Sequence, residues 1–394
     1  MDNKTKRLYF IDAMRAWAIL MMLQGHFIDG LLDNAFRDVN NPIFATWKYF
    51  RGITAPVFFT VSGFIFTYLL VKGDKKGINN PRVRKGIKRG LELLFIGYLL
   101  RMNVFGLLQG EFYDSFYLVD VLHCIGLSLL GIIGIYLLSQ KYKKTFFPAI
   151  LLAITVLLFL FEPLYKNWGF TFLPDALANY LTKSNGSVFT IFPWLGYATF
   201  GGFVSLLFVK FKNFKHLYPT AIALATIVGM VLIFGSSELF LKLSGITGMQ
   251  MFADVFFNNY LFIRLGDVLL VFAVFMILRR ILDNAMVLKI GQSTLSIYIV
   301  HFIILYGTFT GLGLYRFFHH ALNPAIAVSG ALIFMVISTY TALQYEKHKA
   351  SLKLNLATAV KLGWVQLEVA TLTVVEFIKD RGYRLLRRFG FVKG

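Results

Sequence analysis

The stretch Leu8–Leu31, LYFIDAMRAWAILMMLQGHFIDGL, is long and apolar enough to cross a bilayer, yet it carries Arg15 and His26. Eleven residues at about 100° each amount to roughly three helical turns, so the two side chains share one face about 16 Å apart along the axis. A charge near the bilayer centre costs about 2.5 to 3.5 kcal/mol even on lenient scales, so such residues face a cavity or a partner rather than lipid. Asp12 lies three residues before Arg15 and Asp29 three residues after His26, the spacing at which helical side chains meet. One face of this helix thus holds two polar clusters at opposite depths. They read either as an ion pair and a packing histidine or as two ends of a site.

The rest of the chain is of the same kind. Hydrophobic residues make up 57% and charged residues 15% of the 394 positions, and the mean hydropathy is +0.66, which excludes an ordinary soluble domain. About ten apolar segments are predicted, near 8–29, 50–71, 88–109, 116–139, 146–163, 188–209, 218–235, 258–280, 290–312 and 322–345. The expected fold is therefore an all-α, polytopic membrane protein. Its transmembrane domain spans 1–345, and a basic, amphipathic tail follows over 346–394.

A net charge of +20 invites a nucleic-acid reading, but its distribution does not. With the N-terminus inside, 30 of the 40 Lys and Arg fall in cytoplasmic segments, 7 outside and 3 within spans. That asymmetry follows the positive-inside rule and puts both termini in the cytoplasm. Basic loops of this kind also touch anionic lipid. MDNKTKRLYF runs into the first span without a small-residue cleavage site and reads as retained. Cys124 is the only cysteine, so neither an intrachain disulfide nor a cysteine metal cluster is expected. The longer external connections, about 164–187 and 236–257, could cap a vestibule or simply connect.

Other polar residues inside spans are Arg101, Asn103, Asp120, His123, Arg264, Asp267 and His301. Asp120–His123 and Arg264–Asp267 are each spaced i,i+3, so each can neutralise itself within one helix. The second reads as structural. The first, a carboxylate beside an imidazole, also suits proton transfer. Arg82, Arg84, Lys85, Lys88 and Arg89 crowd the cytoplasmic start of the third span, where a helix N-terminus and cations suit a phosphate-bearing ligand. HExxH, CxxC, a Walker loop and GxSxG are all absent, so zinc proteolysis, ATP hydrolysis and an α/β-hydrolase triad lack support. No metal is expected.

These motifs together resemble those of transmembrane acyltransferases. The opening RLYFIDAMRAWAILMMLQGH is similar to the start of the heparan-α-glucosaminide N-acetyltransferase-like and acyltransferase-3 proteins, and Arg15-x10-His26 resembles the arginine–histidine motif of the latter. Further likenesses follow in order at ITAPVFFTVSGF (53–64), DVLHCIG (120–126), IFPWLGY (191–197) and IGQSTLSIYIVH (290–301), so that the resemblance covers about 8–345. IFPWLGY favours the N-acetyltransferase-like branch.

The resemblance implies acetyl-CoA as donor, entering from the cytoplasm, and an amine or hydroxyl acceptor on an extracytoplasmic glycan or lipid-linked molecule. It gives Arg15 a part in positioning the donor, His26 the catalytic position and the basic loop the nucleotide. Asp29 is a candidate to orient His26, while Asp12, Asp120, His123 and His301 remain structural or proton-transfer candidates. Ala16 stands where the pattern has glycine. In the lysosomal enzymes asparagine stands at the His26 position and a catalytic histidine follows in the external loop. The corresponding place here is near Arg37, so His26 alone must do the work of that pair. His123-Cys124 replaces the usual Gln-Arg.

The expected setting is a bacterial cytoplasmic (inner) membrane, with membrane lipids as partners, no nucleic acid, and room for a homodimer. The rival reading is a proton-coupled transporter or flippase whose path runs through Arg15, His26, Asp120 and His123. The lack of an evident internal repeat counts against it.

Overall fold

The computed structural model describes residues 8–73, 75–110, 114–143 and 145–388. Its elements are helices, and no strand occurs among the described residues. The principal ones are α1 (Tyr9–Leu31), α2 (Pro42–Val71), α3 (Pro81–Arg101), α4 (Val121–Ser139), α5 (Phe146–Leu160) and α6 (Ile191–Lys210). There follow α7 (Leu217–Met230), α8 (Ser236–Thr247), α9 (Gln250–Phe257), α10 (Tyr260–Ile277), α11 (Ala285–Gln292), α12 (Thr294–Tyr306) and α13 (Pro324–Arg388).

Helix starts follow local chemistry. Asn41 and Asn80 cap α2 and α3, each followed by a proline in the first helical turn. Proline there sacrifices an N–H that would have no intrahelical partner. The Asn80 side chain also donates to the Leu70 carbonyl at 2.8 Å, tying the start of α3 to the end of α2. Asp120 caps α4.

Among the described residues six helices are long and apolar enough to cross a membrane: α2, α4, α6, the run Leu217–Thr247, Tyr260–Arg280 and Pro324–Trp364. The bent pair α11–α12, which turns by 68° at Ser293, makes up to seven. The remaining expected spans correspond to α1, α3 and α5. The first two carry in-helix charges that lower their hydropathy, and α5 is only 15 residues long.

One segment differs from its sequence reading. The stretch 236–257 is α8 and α9 rather than a connection. A π-turn over Val231–Gly235 lets α7 continue into α8, which ends at Gly248 in the left-handed region (φ +68°). The boundary expected after Tyr345 falls within α13. No proline follows Pro324, and α13 runs on through that position to Arg388. The chain falls into two compact units, Met1–Thr341 and Ala342–Gly394. Residues 389–394 of the expected tail lie outside the described residues.

Within the first unit α1 is the hub, packing on α2, α10, α11 and α12. The tightest pairing is α2 on α6, made possible by glycine: a Cβ on Gly63 would sit 1.9 Å from the Ala198 carbonyl oxygen, and one on Gly201 1.8 Å from that of Thr60. Gly291 likewise lets α11 meet the backbone of α1 at Asp12, whose oxygen would lie 2.0 Å from an added Cβ. Along the polar face of α1, Asp12 is buried and Arg15, His26 and Asp29 are part-buried.

Candidate active site

His26 stands on the C-terminal half of α1 facing α12. Its Nδ1 is 3.0 Å from the Tyr306 hydroxyl, and its ring lies 5.5 Å from that of His301. A backbone carbonyl can only accept, so the Nδ1 of His301 donates to the Tyr298 oxygen. The Nε2 of His301 is buried and has no hydrogen-bond partner among the described residues. Tyr298, Phe302 and Tyr306 follow at i, i+4 and i+8, their rings 6.0 and 4.8 Å apart, and form the wall opposite α1.

Two cavities meet at His26. The more polar one, of about 360 Å³, sets Arg101, Asn103, Asp120, Tyr298 and Tyr306 among apolar residues such as Leu100, Phe302 and Phe309. The other, about 230 Å³, is mostly apolar, bounded by Met21, Met22, Ala55, Phe58 and Trp194, with Arg51 on its rim. His26, Val188 and Phe189 line both, so these three side chains form the partition. The segment 307–311 that closes the more polar cavity is held by backbone bonds between Phe309 and both Met102 and Val104. The neighbouring stretch is held to the end of α1, where Leu322 donates to the Leu31 oxygen at 2.9 Å.

Each sequence candidate has a definite place. Asp29 does not meet the His26 imidazole at Nδ1, which Tyr306 occupies. Its carboxylate is held between Arg37 at 2.9 Å and Arg51 at 2.5 Å, and Arg37 also donates to its backbone oxygen. Asp120 and His123 pair as a reciprocal cap: the Asp120 carboxylate accepts from Val121 N–H at 2.7 Å and the Asp120 N–H donates to His123 Nδ1 at 3.1 Å. Arg101 lies 3.5 Å from the same carboxylate. His123 itself is enclosed by Tyr98 and Tyr180, whose hydroxyls share a 2.6 Å hydrogen bond. Burial, then that bond, push the Tyr180 hydroxyl well above the usual phenol range, so it stays neutral. Among the ionisable candidates, the structure therefore brings His26, His301 and Asp120 to one region and keeps His123 behind Asp120.

Arg15 belongs to the other end of α1. Its guanidinium donates to Thr294 at 2.8 Å, at the bend between α11 and α12, and lies 3.7 Å from Asp12. Since α1 is unbroken from Tyr9 to Leu31, the separation of about 16 Å from His26 along the axis holds. Arg82, Arg84, Lys85, Lys88 and Arg89 are all exposed at the start of α3. Arg84 borders an open recess of about 640 Å³ with Lys75 and Lys76. Arg264 and Asp267 do pair within α10 at 2.9 Å, and Tyr49 donates to the same aspartate at 2.7 Å.

Tyr306, Tyr298, Thr294 and Arg51 did not stand out in the sequence. The three-aromatic stripe 298–302–306 was the available signal for the first two, since its i, i+4, i+8 spacing puts it on one face with its middle one residue from His301. Nothing local marks Arg51, which reaches Asp29 only because α2 lies against α1.

Comparison with known proteins adds one match. The family profile described as an acyltransferase domain, that of the acyltransferase-3 proteins, matches residues 8–343. No curated protein matches the chain.

Proposed function

The chain belongs to the acyltransferase-3 family, and from that premise we propose that it moves an acyl group, acetyl in the first instance, from cytoplasmic acyl-CoA to a hydroxyl or amine of an extracytoplasmic glycan or lipid-linked acceptor. The observation that carries this reading is His26 standing where two cavities meet, one edged by Arg101, Asn103 and Asp120 and the other almost wholly apolar. A transferase needs such a place, with the acceptor on one side and the acyl donor on the other. In this reading α1, α3 and α5 cross the membrane along with the six apolar helices and the bent pair. The ten crossings put both termini in the cytoplasm, in keeping with the positive-inside bias.

The acceptor occupies the more polar cavity. With its Nδ1–H donating to the Tyr306 oxygen, His26 has Nε2 free to take the proton of the acceptor O–H or N–H. The freed lone pair attacks the thioester carbonyl, the carbon–sulfur bond breaks, and the thiolate leaves with the proton that His26 returns. The exposed cations at the start of α3 attract the nucleotide phosphates. Arg15 lies about 16 Å from His26 along α1, on the order of the length of extended pantetheine, and in this reading positions the donor. Asp29, held by two arginines, fixes the outer end of α1.

The test is label transfer by purified protein from acetyl-CoA to envelope glycans and lipids of cells lacking the gene. His26→Gln should bind acetyl-CoA as the parent does and transfer none. Proton-driven uptake into vesicles with no label transfer would favour the transporter instead.

A further inference from the structure

The loop after α6 reads Lys210-Phe211-Lys212-Asn213-Phe214-Lys215, alternating cations with aromatics. The structure sorts them. Phe211 and Phe214 line a cavity of about 470 Å³, whereas Lys210, Lys212 and Lys215 are exposed beside it. This cavity is distinct from those at His26. It lies between α6 and α7, which are consecutive in sequence yet diverge, because α7 packs on α10 rather than on α6. Phe272 and Met276 of α10 contribute to its lining, and Thr220 is its one polar lining residue. Arg279 stands one turn beyond Met276, donating to that residue's carbonyl and stacking on Tyr218 at 4.3 Å, and Arg280 is exposed next to it. No acidic residue occurs from Ala176 to Ser237. The groove is thus apolar along its length and cationic at one end.

We propose that this groove is a binding site for an anionic glycerophospholipid of the cytoplasmic leaflet, one acyl chain between α6 and α7 and the headgroup phosphate among Lys210, Lys212, Lys215 and Arg280. The assignment to that leaflet rests on the orientation proposed above; the binding does not. The volume is in the range of built ligand sites, about 300 to 1,000 Å³. An acyl chain gains no hydrophobic driving force by leaving one apolar medium for another. The groove therefore supplies shape, and selection among lipids comes from the cations, whose attraction for an anionic headgroup falls off within a Debye length. A lipid lodged there fills the gap that the divergence of α6 and α7 opens.

The experiment uses the full chain in vesicles of phosphatidylcholine containing a minor fraction of phosphatidylglycerol whose acyl chain carries a photoactivatable group. Crosslinked peptides should map to α6, α7 and the 211–216 loop. About tenfold more label should be captured than from the same probe on phosphatidylcholine, the scale expected of a few cations near the surface. Lys212→Gln with Lys215→Gln should bring the two probes close to parity without moving the crosslink positions. Ala221→Trp, which fills the groove, should abolish capture there while the protein stays monodisperse. Label spread evenly around the bundle, or a phosphatidylglycerol preference untouched by the lysine variants, would overturn the proposal. Because capture is read without acyl transfer, it stands or falls independently of the enzyme reading.

Discussion

In the proposed mechanism the chemistry of His26 turns on Tyr306, whose hydroxyl lies 3.0 Å from Nδ1 and, by accepting from it, leaves Nε2 to act as the base. Tyr306→Phe removes that partner without emptying the wall. It should lower kcat about ten- to a hundredfold and leave the KM for acetyl-CoA nearly unchanged, a split that general loosening of the fold would not give. Steady-state kinetics in detergent or nanodiscs reads it directly. If His26 is the base, transfer should also fall as pH drops through the range where its imidazole protonates, about 6.5 when unperturbed. A profile with no acid limb down to the pH at which the fold itself is lost would assign the base elsewhere. At this scale Arg15 and His26 were legible because charge in an apolar run is costly wherever it occurs. Their partners were not. Thr294 and Tyr306 lie 279 and 280 positions away and meet α1 only through the bend at Ser293.

At the scale of helices, the active site depends on close approach. A methyl on Gly63 would lie 1.9 Å from a backbone oxygen of α6, with no flexible side chain to yield, whereas Gly134 in α4 has nothing within 4 Å. Gly63→Ala should therefore force α2 and α6 apart and lower thermal stability by several kcal/mol, in the range of overpacked cores. Gly134→Ala should be neutral or slightly stabilising, by up to about 1 kcal/mol. Thermal denaturation of both variants, scored by the fraction remaining monodisperse, checks the pair. The existence of these helices was readable from apolar runs. The continuation of α7 through a π-turn into α8 was not, because Ser236 and Ser237 look like a break until their carbonyl and hydroxyl bonds are seen. Ser236 donates to the Leu232 carbonyl, and Asn259 donates to Ser236 at 2.6 Å.

For the whole molecule, the account places both termini on one side of the membrane and the catalytic machinery within the first unit. With Cys124 buried, single cysteines added at Asn3 and Glu346 on a Cys124→Ser background should both react with an impermeant maleimide only from the cytoplasmic side. Labelling from opposite sides would reject the ten-crossing arrangement. Removal of residues 365–394 should leave most transfer activity, measured in membranes at matched protein levels, because the family match ends at residue 343. Acyl transfer in a membrane was legible from five ordered motifs, but the acceptor was not, since its identity is written in cavity shape and not in spacing. The most direct test of the central claim is transfer of labelled acetyl from acetyl-CoA to envelope acceptors by purified protein, comparing the parent with His26→Ala. The account predicts transfer by the parent, none by the variant, and equal acetyl-CoA binding by both; full transfer by His26→Ala would contradict it.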